Sequence, residues 1–583
     1  MFTWRSYVIL AVALGFLVTL YRTYIPPPHL WPTHPVEEAE FDVPDRNVDW
    51  AARANAVKQA FAHAYHGYEA YAFPEDELLP LTNSSEMKFN GWGVTVFDSL
   101  DTMILMGFDE EFKRALDLVK KTKFVRKMDE YAPFFETVIR YLGGLMSAYA
   151  LSKEPVLLEK ADELARVLSP VFNTETGFPY YAVNPISGSI RGPDFGILAE
   201  IASFQLEYTA VAQASKKKEY YEKVARVNAA LATGNLTSTG GMFPKSWSLK
   251  TGQVYDQELS VGAAADSAHE YTLKQYLLTG RTDKASLELY LKLTTFVINN
   301  LLYLSPTRHM LYVTSLHVTH GSPSGVLEHL SCFFPGLLAL GAHLLPLDDL
   351  SSLGIDYLGL AANLSSRDRE GYTILSKYNL RKLHMWAAKG LTETCYLTYA
   401  DQPSGLGPEE ILFVSGGVRW MKVMEQWRER GGRGPIPGLG KKEPVVIPSY
   451  DSETQYKKHV QMDYWVRTGA YLLRPETVES LYLLWRTTGE YRWRDYAWRI
   501  FESIEKYTKT ESGYASVKIE GNGNVVKENE MPSFFLAETL KYLYLAFVDR
   551  DPIDLEKWVF NTEAHPLPVF EWTAEEKSLF GIP

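Results

Sequence analysis

The chain has 583 residues, of which 46% are hydrophobic, so it is long enough to bury a large core. Its formal net charge of −12 argues against a nucleic-acid partner, because phosphate binding requires clustered Lys and Arg. The two cysteines, Cys332 and Cys395, leave two alternatives: free thiols in the cytosol, or one disulfide closing a long loop in the secretory pathway.

The N-terminal residues predict a membrane anchor. Residues 6–21 are uncharged and mostly apolar, flanking Arg22 can reach the membrane surface, and Tyr24 and Ile25 extend the apolar length. A cleaved signal peptide is the alternative, but no small-x-small cleavage site follows the apolar run. We therefore expect a single-pass type II membrane protein. It would have a cytosolic tail at residues 1–5, a transmembrane signal anchor at 6–25, a proline-rich stem at 26–48 and a luminal domain at 49–583.

Three N-x-Ser/Thr sequons agree with a luminal domain; they begin at Asn83, Asn235 and Asn363. We expect this domain in the endoplasmic reticulum or the Golgi, and the sequence does not choose between them.

Apolar residues recur at helical spacing from Trp50 almost to Phe547. The predicted helices cover residues 51–71, 100–106, 134–151, 156–168, 196–212, 220–232, 263–278, 283–302, 327–344, 357–363, 391–399, 464–473, 475–487, 491–507 and 533–547. Short strand-like alternation occurs around residues 310–314 and 513–517, and residues 430–452 predict a surface loop. The pattern predicts one all-α domain, and an α/α barrel of helical hairpins would accommodate this number of helices.

Two helices carry acids within apolar surroundings. Pro475 favours a helix start there, which places Glu476 and Glu479 in the first turn on one face. Stabilisation of the helix dipole is one explanation for this acidic turn. Glu136 and Arg140 lie four residues apart in an apolar run, where a surface salt bridge is the alternative. A buried acid would instead have a raised pKa, which is what a general acid requires.

A third helix start follows a run of small residues. Asp266 and Glu270 share a helical face there, and an N-cap role for Asp266 is the structural alternative. Further acids near apolar helices are Glu200, Glu207, Glu409, Glu538 and Glu563.

So many carboxylates beside apolar helices predict a pit that binds a polyhydroxylated ligand, a hard cation, or both. Oxygen ligands suit Ca²⁺, whereas no Cys/His spacing indicates zinc, and His63 and His66 are expected to be structural. Paired acids on such a scaffold indicate glycoside hydrolysis by one acid and one base.

Together, these and other separated motifs resemble the class I α-1,2-mannosidases, glycoside hydrolase family 47. The motifs lie at residues 76–80, 93–102, 135–144, 329–333, 473–479, 533–542 and 560–566. The resemblance implies an (α/α)7 barrel with short β-hairpins, bound Ca²⁺, and inverting removal of α-1,2-linked mannose from high-mannose Asn-linked glycans.

The resemblance also implies roles for individual residues. Glu136 would be the general acid, acting through water, and Glu476 the base that activates the attacking water. Asp266 would be the third essential carboxylate, and the division of acid duty between Asp266 and Glu136 stays open. The residues expected to bind substrate are Arg140, Glu200, Glu207, Glu270, Glu409, Arg474 and Phe534, the last beneath the sugar.

The implied calcium site centres on Thr562, whose hydroxyl and carbonyl oxygens would bind the ion directly. Glu479, Glu538 and Glu563 would hold the waters around the ion. Cys332 and Cys395 match the paired cysteines of the family, which favours the disulfide.

Two positions depart from the family pattern. Members that remove one specific branch mannose have an Arg where this chain has Ala264, so we expect broader branch specificity, as in Golgi-type enzymes. The second departure is Ala268-His269, which replaces an aromatic pair and puts the local packing in question.

Two other functions compete with hydrolysis. One is a quality-control factor that recognises glycans on misfolded glycoproteins with little or no hydrolysis, and the other is a membrane-anchored helical scaffold. We favour the enzyme, because the catalytic set is complete and no further domain follows the predicted barrel before Pro583.

Overall fold

The computed structural model describes residues 48–127, 129–446, 461–520 and 523–582. Over these ranges the chain is mostly helical, with short antiparallel strands in eight small sheets, which confirms the predicted helical class. The predicted tail, anchor and nearly all of the stem lie outside the described residues. None of the helices in the described ranges is long and apolar enough to cross a membrane.

The helices are numbered in chain order, and three of them contain a π-helical segment. They are α1 (Trp50–Tyr71), α2 (Val94–Met106), α3 (Asp109–Lys121), α4 (Phe134–Glu136, Thr137–Leu142 and Gly143–Ser152), α5 (Pro155–Leu168), α6 (Leu198–Ile201), α7 (Gln205–Ser215), α8 (Lys218–Thr233), α9 (Asp266–Leu278), α10 (Lys284–Phe296 and Val297–Leu301), α11 (Phe334–Leu344), α12 (Ser366–Leu375), α13 (Leu380–Ala400), α14 (Trp420–Glu429), α15 (Glu476–Thr488), α16 (Arg492–Tyr507), α17 (Phe535–Thr539 and Leu540–Phe547) and α18 (Ala574–Phe580).

Seven of the described helices, α2, α4, α7, α9, α11, α15 and α17, pack side by side in a closed ring. A second set, α1, α3, α5, α8, α10, α13 and α16, packs on the outside of this ring. The ring helices are buried on almost every face, as is typical of helices that are apolar all round. This order of packing is the one expected of an (α/α)7 barrel.

The strands are two to five residues long and pair only in antiparallel ladders. They are β1 (Glu77–Leu79), β2 (Ser84–Glu86), β3 (Ala132–Pro133), β4 (Ala182–Val183), β5 (Ile190–Arg191), β6 (Phe195–Ile197), β7 (Ser246–Ser248), β8 (Glu258–Leu259), β9 (Leu302–Leu304), β10 (Leu311–Val313), β11 (Leu316–His317), β12 (Val326–Glu328), β13 (Glu410–Phe413), β14 (Val418–Arg419), β15 (Tyr464–Thr468), β16 (Ala470–Tyr471), β17 (Val517–Ile519), β18 (Val525–Lys527), β19 (Trp558–Phe560) and β20 (Pro566–Pro568).

A strand precedes the N-terminus of each ring helix; for example, β3 precedes α4, β8 precedes α9 and β16 precedes α15. The register in these hairpins is local, such as Val517↔Lys527 between β17 and β18. The strands therefore form the rim around the N-terminal ends of the ring helices.

The β19–β20 hairpin enters the bore of the ring. Its turn residue His565 is fully buried, with its ring nitrogens 3.1 Å from Asp98 and 2.9 Å from Asp101 of α2. A Cβ on Gly143 of α4 would lie 2.5 Å from the Asn561 side chain, so only glycine allows this close approach. The hairpin therefore forms the floor of the pit.

Residues 76–80, one of the family-like motifs, hold the start of α2. The Asp76 carboxylate accepts hydrogen bonds from the backbone N–H groups of Gly93 at 3.0 Å and Val94 at 3.2 Å. Asp76 therefore caps the helix from a distant position in the sequence, because Gly93, at φ 81°, has no side chain to do so.

Several predicted boundaries were wrong. Residues 464–473 form β15 and β16 rather than a helix, because Tyr464, Trp465 and Val466 pair with β13. Residues 357–363 hold only the short 3₁₀ segment Gly359–Ala361. The predicted helix at 327–344 begins with β12 and a 3₁₀ turn before α11. Helix α2 begins six residues before its predicted start at residue 100, and α3, α12, α14 and α18 were not predicted.

Candidate active site

The three candidate catalytic carboxylates lie at the N-terminal ends of ring helices. Glu136 is in the first turn of α4, Asp266 is the first residue of α9, and Glu476 is the first residue of α15. Helix N-termini carry partial positive charge, so each position favours a carboxylate. Glu476 follows Pro475, which is the N-cap, so α15 begins one residue later than predicted.

Glu476 is held by a histidine to which no role was assigned from the sequence. His329 Nδ1 lies 2.8 Å from Glu476 Oε2, and His329 Nε2 lies 2.5 Å from the Tyr399 hydroxyl. His329 can donate from Nδ1 to Glu476 while its Nε2 pairs with the Tyr399 hydroxyl. Burial alone would raise the pKa of Glu476, but the His329 bond and the positive charge of Arg474 lower it below its usual value. Glu476 is therefore ionised near neutral pH, as a general base must be.

The pKa of Asp266 is shifted in the opposite direction from that of Glu476. Its pKa is raised to about 7, mainly by burial and then by the negative charges of Glu270, Glu476 and Glu328. The Ser267 N–H donates to its carboxylate at 2.9 Å, which opposes this shift only in part. A carboxyl group that still holds its proton near neutral pH can act as a general acid.

Glu136 pairs with Arg140 within α4. Arg140 donates to Glu136 through Nε at 2.9 Å and through Nη2 at 2.8 Å. The same guanidinium donates to Glu563 at 2.6 Å, and its carbon lies 5.8 Å from the centre of the Phe534 ring. Arg140 therefore joins a catalytic candidate, a calcium-site candidate and the predicted sugar platform.

A buried acidic cluster surrounds the tip of the β19–β20 hairpin. Burial raises the pKa of Glu479 to about 8, with smaller contributions from the charges of Glu270 and Glu476. Burial and the neighbouring Glu563 likewise raise the pKa of Glu538 well above its usual value. The nearest cation to Glu479, Lys274, lies 3.9 Å away and donates a shorter bond to Glu270. The cluster therefore has too few basic neighbours to keep all of its carboxyl groups ionised near neutral pH.

Thr562 lies in the turn beside this cluster, with its N–H 3.3 Å from the Tyr271 hydroxyl. Glu207 stands behind the turn, where its Oε1 accepts from Tyr271 at 2.6 Å and from Asn561 at 2.7 Å. Glu207 is fully buried, and its pKa is raised to about 7 by that burial. These contacts fix the backbone that presents Thr562.

The remaining predicted substrate-binding residues lie around the same end of the ring. The Arg474 Nε–H is 2.8 Å from both carboxylate oxygens of Glu409, and its guanidinium lies 5.8 Å from the centre of the Phe534 ring. Burial, and then the charge of Glu136, raise the pKa of Glu200 to about 7. The structure thus gathers residues from seven separate sequence segments.

The structure explains the second departure from the family pattern, His269, but gives no reason for Ala264 in place of Arg. Ala264 has a left-handed backbone at φ 74°, and its carbonyl accepts from the Ala199 N–H at 3.0 Å. The His269 ring is fully buried, stacks at 8° on Phe243 and contacts the Ser260 carbonyl at 3.1 Å. Burial lowers its pKa to about 4, so His269 serves as a neutral ring in the core.

Cys332 and Cys395 form the predicted disulfide. It joins the 3₁₀ turn His329–Phe333 to α13. His329 lies in that turn and Tyr399 lies one helical turn after Cys395, so the disulfide holds together the two segments that support Glu476. His63 and His66, expected to be structural, contact the Thr510 carbonyl at 3.0 Å and Glu111 at 2.9 Å.

A helical ring that brings carboxylates with opposite pKa shifts to one end suits glycoside hydrolysis by one acid and one base. The chain belongs to glycosyl hydrolase family 47, whose sequence profile matches residues 60–569. It is 34% identical over 538 residues to mannosyl-oligosaccharide 1,2-alpha-mannosidase MNS1 of Arabidopsis thaliana. The aligned region covers 91% of this chain and 80% of that protein.

Other relatives agree with this family. The chain is 33% identical over 526 residues to an endoplasmic reticulum mannosyl-oligosaccharide 1,2-alpha-mannosidase of Mus musculus, covering 89% of this chain and 68% of that protein. The solved structure of an alpha-1,2-mannosidase from Trichoderma reesei is similar, with a TM-score of 0.73 at 28% identity, over 89% of this chain and 99% of that one.

Proposed function

We propose that this chain hydrolyses terminal α-1,2-linked mannose from high-mannose Asn-linked glycans, with inversion at the anomeric carbon and with Ca²⁺ bound. The observation that carries this proposal is the pairing of Asp266, whose pKa is about 7, with Glu476, whose pKa is lowered. The family membership and the names of the relatives support the choice of substrate.

In the proposed reaction, the Glu476 carboxylate takes a proton from a water molecule as that water attacks the anomeric carbon. The bond from this carbon to the glycosidic oxygen breaks, and the leaving oxygen receives a proton from the acid on the other face of the sugar. We assign the final proton donation to Asp266, because burial and three nearby carboxylates raise its pKa to about 7. Glu136 is held by Arg140. It would act as an acid indirectly, by orienting a water molecule.

The residues around Thr562 fit Ca²⁺. In the described part of the chain, no group of three or more His, Cys, Asp or Glu side chains forms a ready-made metal site. The predicted site instead uses the Thr562 hydroxyl and carbonyl oxygens, with Glu479, Glu538 and Glu563 holding the ion's waters. These acids are crowded and under-neutralised, an arrangement that a divalent cation relieves. When bound, Ca²⁺ would also hold sugar hydroxyls and favour a distorted ring.

We further propose a secretory-pathway location, in the endoplasmic reticulum or Golgi membrane, with residues 6–25 as the anchor and the ring domain in the lumen. The Cys332–Cys395 disulfide supports an oxidising compartment. The three sequon asparagines, Asn83, Asn235 and Asn363, are all exposed, so each is accessible for glycosylation.

Broad branch specificity is part of the proposal. The methyl group of Ala264 cannot form the two-pronged hydrogen bonds that an arginine guanidinium makes with a sugar. We therefore expect the enzyme to remove several α-1,2-linked mannoses from a nine-mannose glycan. A digestion that stalls after the loss of one mannose would contradict this expectation.

The direct test uses purified protein and a nine-mannose glycan. We expect mannose release by the wild type and none by Glu476→Gln, which should still bind the glycan because its side chain keeps the same shape. If the wild type binds the glycan without releasing mannose, the quality-control factor becomes the better explanation.

A further inference from the structure

The turn of the β19–β20 hairpin, residues 561–565, is buried except at one residue. The side chains of Asn561, Glu563, Ala564 and His565 are buried, whereas Thr562 is partly exposed. Thr562 is also the residue whose hydroxyl and carbonyl oxygens we propose as direct Ca²⁺ ligands. The position of these two oxygens therefore depends on how the buried part of the turn is held.

Lys541 of α17 holds the backbone on the buried side of this turn. Its side chain is fully buried, and its ammonium group donates to the Ala564 carbonyl at 2.6 Å. Ala564 has a left-handed backbone at φ 57°, a conformation that costs free energy for a residue with a Cβ. The bond from Lys541 therefore fixes the carbonyl of a strained residue that lies two positions after Thr562.

Two buried aspartates of α2 hold this lysine and the end of the turn together. The Asp101 carboxylate accepts from Lys541 at 3.0 Å and lies 2.9 Å from His565 Nδ1. Asp98 lies 3.1 Å from His565 Nε2. Because both ring nitrogens face carboxylate oxygens, His565 donates to both only as an imidazolium. Two buried cations thus balance two buried anions, and this network joins α2, α17 and the turn.

Asn561 holds the other side of the turn. Its side-chain amide donates to the Ile139 carbonyl of α4 at 3.0 Å. Its side-chain oxygen accepts from the backbone N–H groups of Glu563 at 3.0 Å and His565 at 2.8 Å. These bonds close the turn on itself and attach it to α4. They do not involve the Ala564 carbonyl, which Lys541 binds.

We propose that Lys541, fixed by Asp101, is a positioning residue for calcium, because it holds the turn that presents both Thr562 oxygens to the ion. The inference rests on the calcium site of the proposed function. Charge alone predicts the opposite effect, since a cation close to an acidic site repels Ca²⁺. Removal of the ammonium group should therefore weaken Ca²⁺ binding if Lys541 positions the turn, and strengthen it if only its charge matters.

Titration calorimetry of the purified protein with Ca²⁺ tests this role. Lys541→Met keeps a long side chain but removes the ammonium group. It should raise the Kd for Ca²⁺ on the order of tenfold, since only the fraction of molecules with the turn in place binds the ion. Excess Ca²⁺ should restore kcat for mannose release to within about twofold of the wild type, because it repopulates that conformation. Circular dichroism without Ca²⁺ checks that the variant is folded.

Asp101→Asn gives an independent test, which decides the question if Lys541→Met does not fold. The amide keeps the shape of the carboxylate but loses its charge, so Lys541 is held less firmly. The Kd for Ca²⁺ should rise by a smaller factor, about threefold.

Lys274→Met is the matched control. Lys274 is also buried and lies 3.9 Å from Glu479, but within the described residues its hydrogen bond goes to Glu270 rather than to the turn. This variant removes a positive charge beside the same acids, so its Ca²⁺ affinity should be unchanged or stronger. An equal weakening in Lys274→Met, or an unchanged or stronger affinity in Lys541→Met, would overturn the positioning role.

Mannose release is measured separately on the same samples, which distinguishes this inference from the proposed function. Weaker Ca²⁺ binding by Lys541→Met, with no mannose release even by the wild type, would support the positioning role and refute the hydrolysis. A wild type that releases mannose without binding Ca²⁺ would overturn the positioning role and leave the hydrolysis standing.

Discussion

Replacement of His329 by Leu should selectively impair Glu476 as the general base. The substitution removes the donor 2.8 Å from Glu476 Oε2 but leaves Glu476 buried at the start of α15. Burial then raises the pKa of Glu476 with less to oppose it, because only the charge of Arg474 and local backbone contacts remain. A larger fraction of the base is therefore protonated and inactive at acidic pH.

The size of the effect follows from the bond that is lost. A hydrogen bond to a charged group contributes about 1.5–3 kcal/mol. On the acidic side of the pH profile, kcat/KM should therefore fall by roughly 10- to 150-fold. The acidic limb should move to higher pH, since Glu476 is active only when ionised, above its pKa.

The assay is a pH profile of kcat/KM on a nine-mannose glycan for the wild type, His329→Leu and His329→Asn. The Asn variant is the control, because its side-chain amide can still donate a neutral hydrogen bond towards Glu476. It should retain more activity than His329→Leu, with a smaller movement of the acidic limb. A uniform loss at every pH in His329→Leu, with the limb unmoved, would refute the assigned role of His329.

Four further predictions concern the calcium site, the acid and the disulfide. Thr562→Val should weaken Ca²⁺ binding on the order of tenfold by titration calorimetry, because it would delete the hydroxyl that we propose as a direct ligand, and an unchanged affinity would place the ion elsewhere. Activity of the wild type should fall as pH rises through about 7, where Asp266 loses its proton. Glu328→Gln should move that alkaline limb to lower pH by removing one of the charges that raise the pKa of Asp266, and an unmoved limb would argue against Asp266 as the acid. Cys332→Ser cannot form the disulfide, which closes a sequence separation of 63 residues, and should lower the free energy of unfolding by about 4 kcal/mol. Unfolding in denaturant measures this loss, and an unchanged midpoint would contradict it.

The acids of the site could be predicted from the sequence because each is a carboxylate within an apolar helical pattern. Glu136, Asp266 and Glu476 all lie at the starts of ring helices, as the patterns indicated. His329 was missed because its partners, Glu476 and Tyr399, are 147 and 70 residues away and no local spacing connects them.

The fold was less predictable where strands interrupt the helical pattern. Residues 464–473 read as a helix because apolar residues are frequent there, but sheet pairing with β13 decides their conformation. Gly469 marks the break between β15 and β16, where a Cβ would lie 2.5 Å from the Ile519 carbonyl oxygen. This close contact comes from a residue 50 positions away, so the local pattern could not reveal it.

The stereochemistry of the released mannose tests the central claim most directly. Proton NMR of the first product formed from a high-mannose glycan distinguishes β-mannose from α-mannose before the two interconvert. Attack by a water that Glu476 activates, on the face opposite the acid, predicts β-mannose as the first product. Initial release of α-mannose would contradict the assignment of Glu476 as a base and would require a covalent intermediate instead.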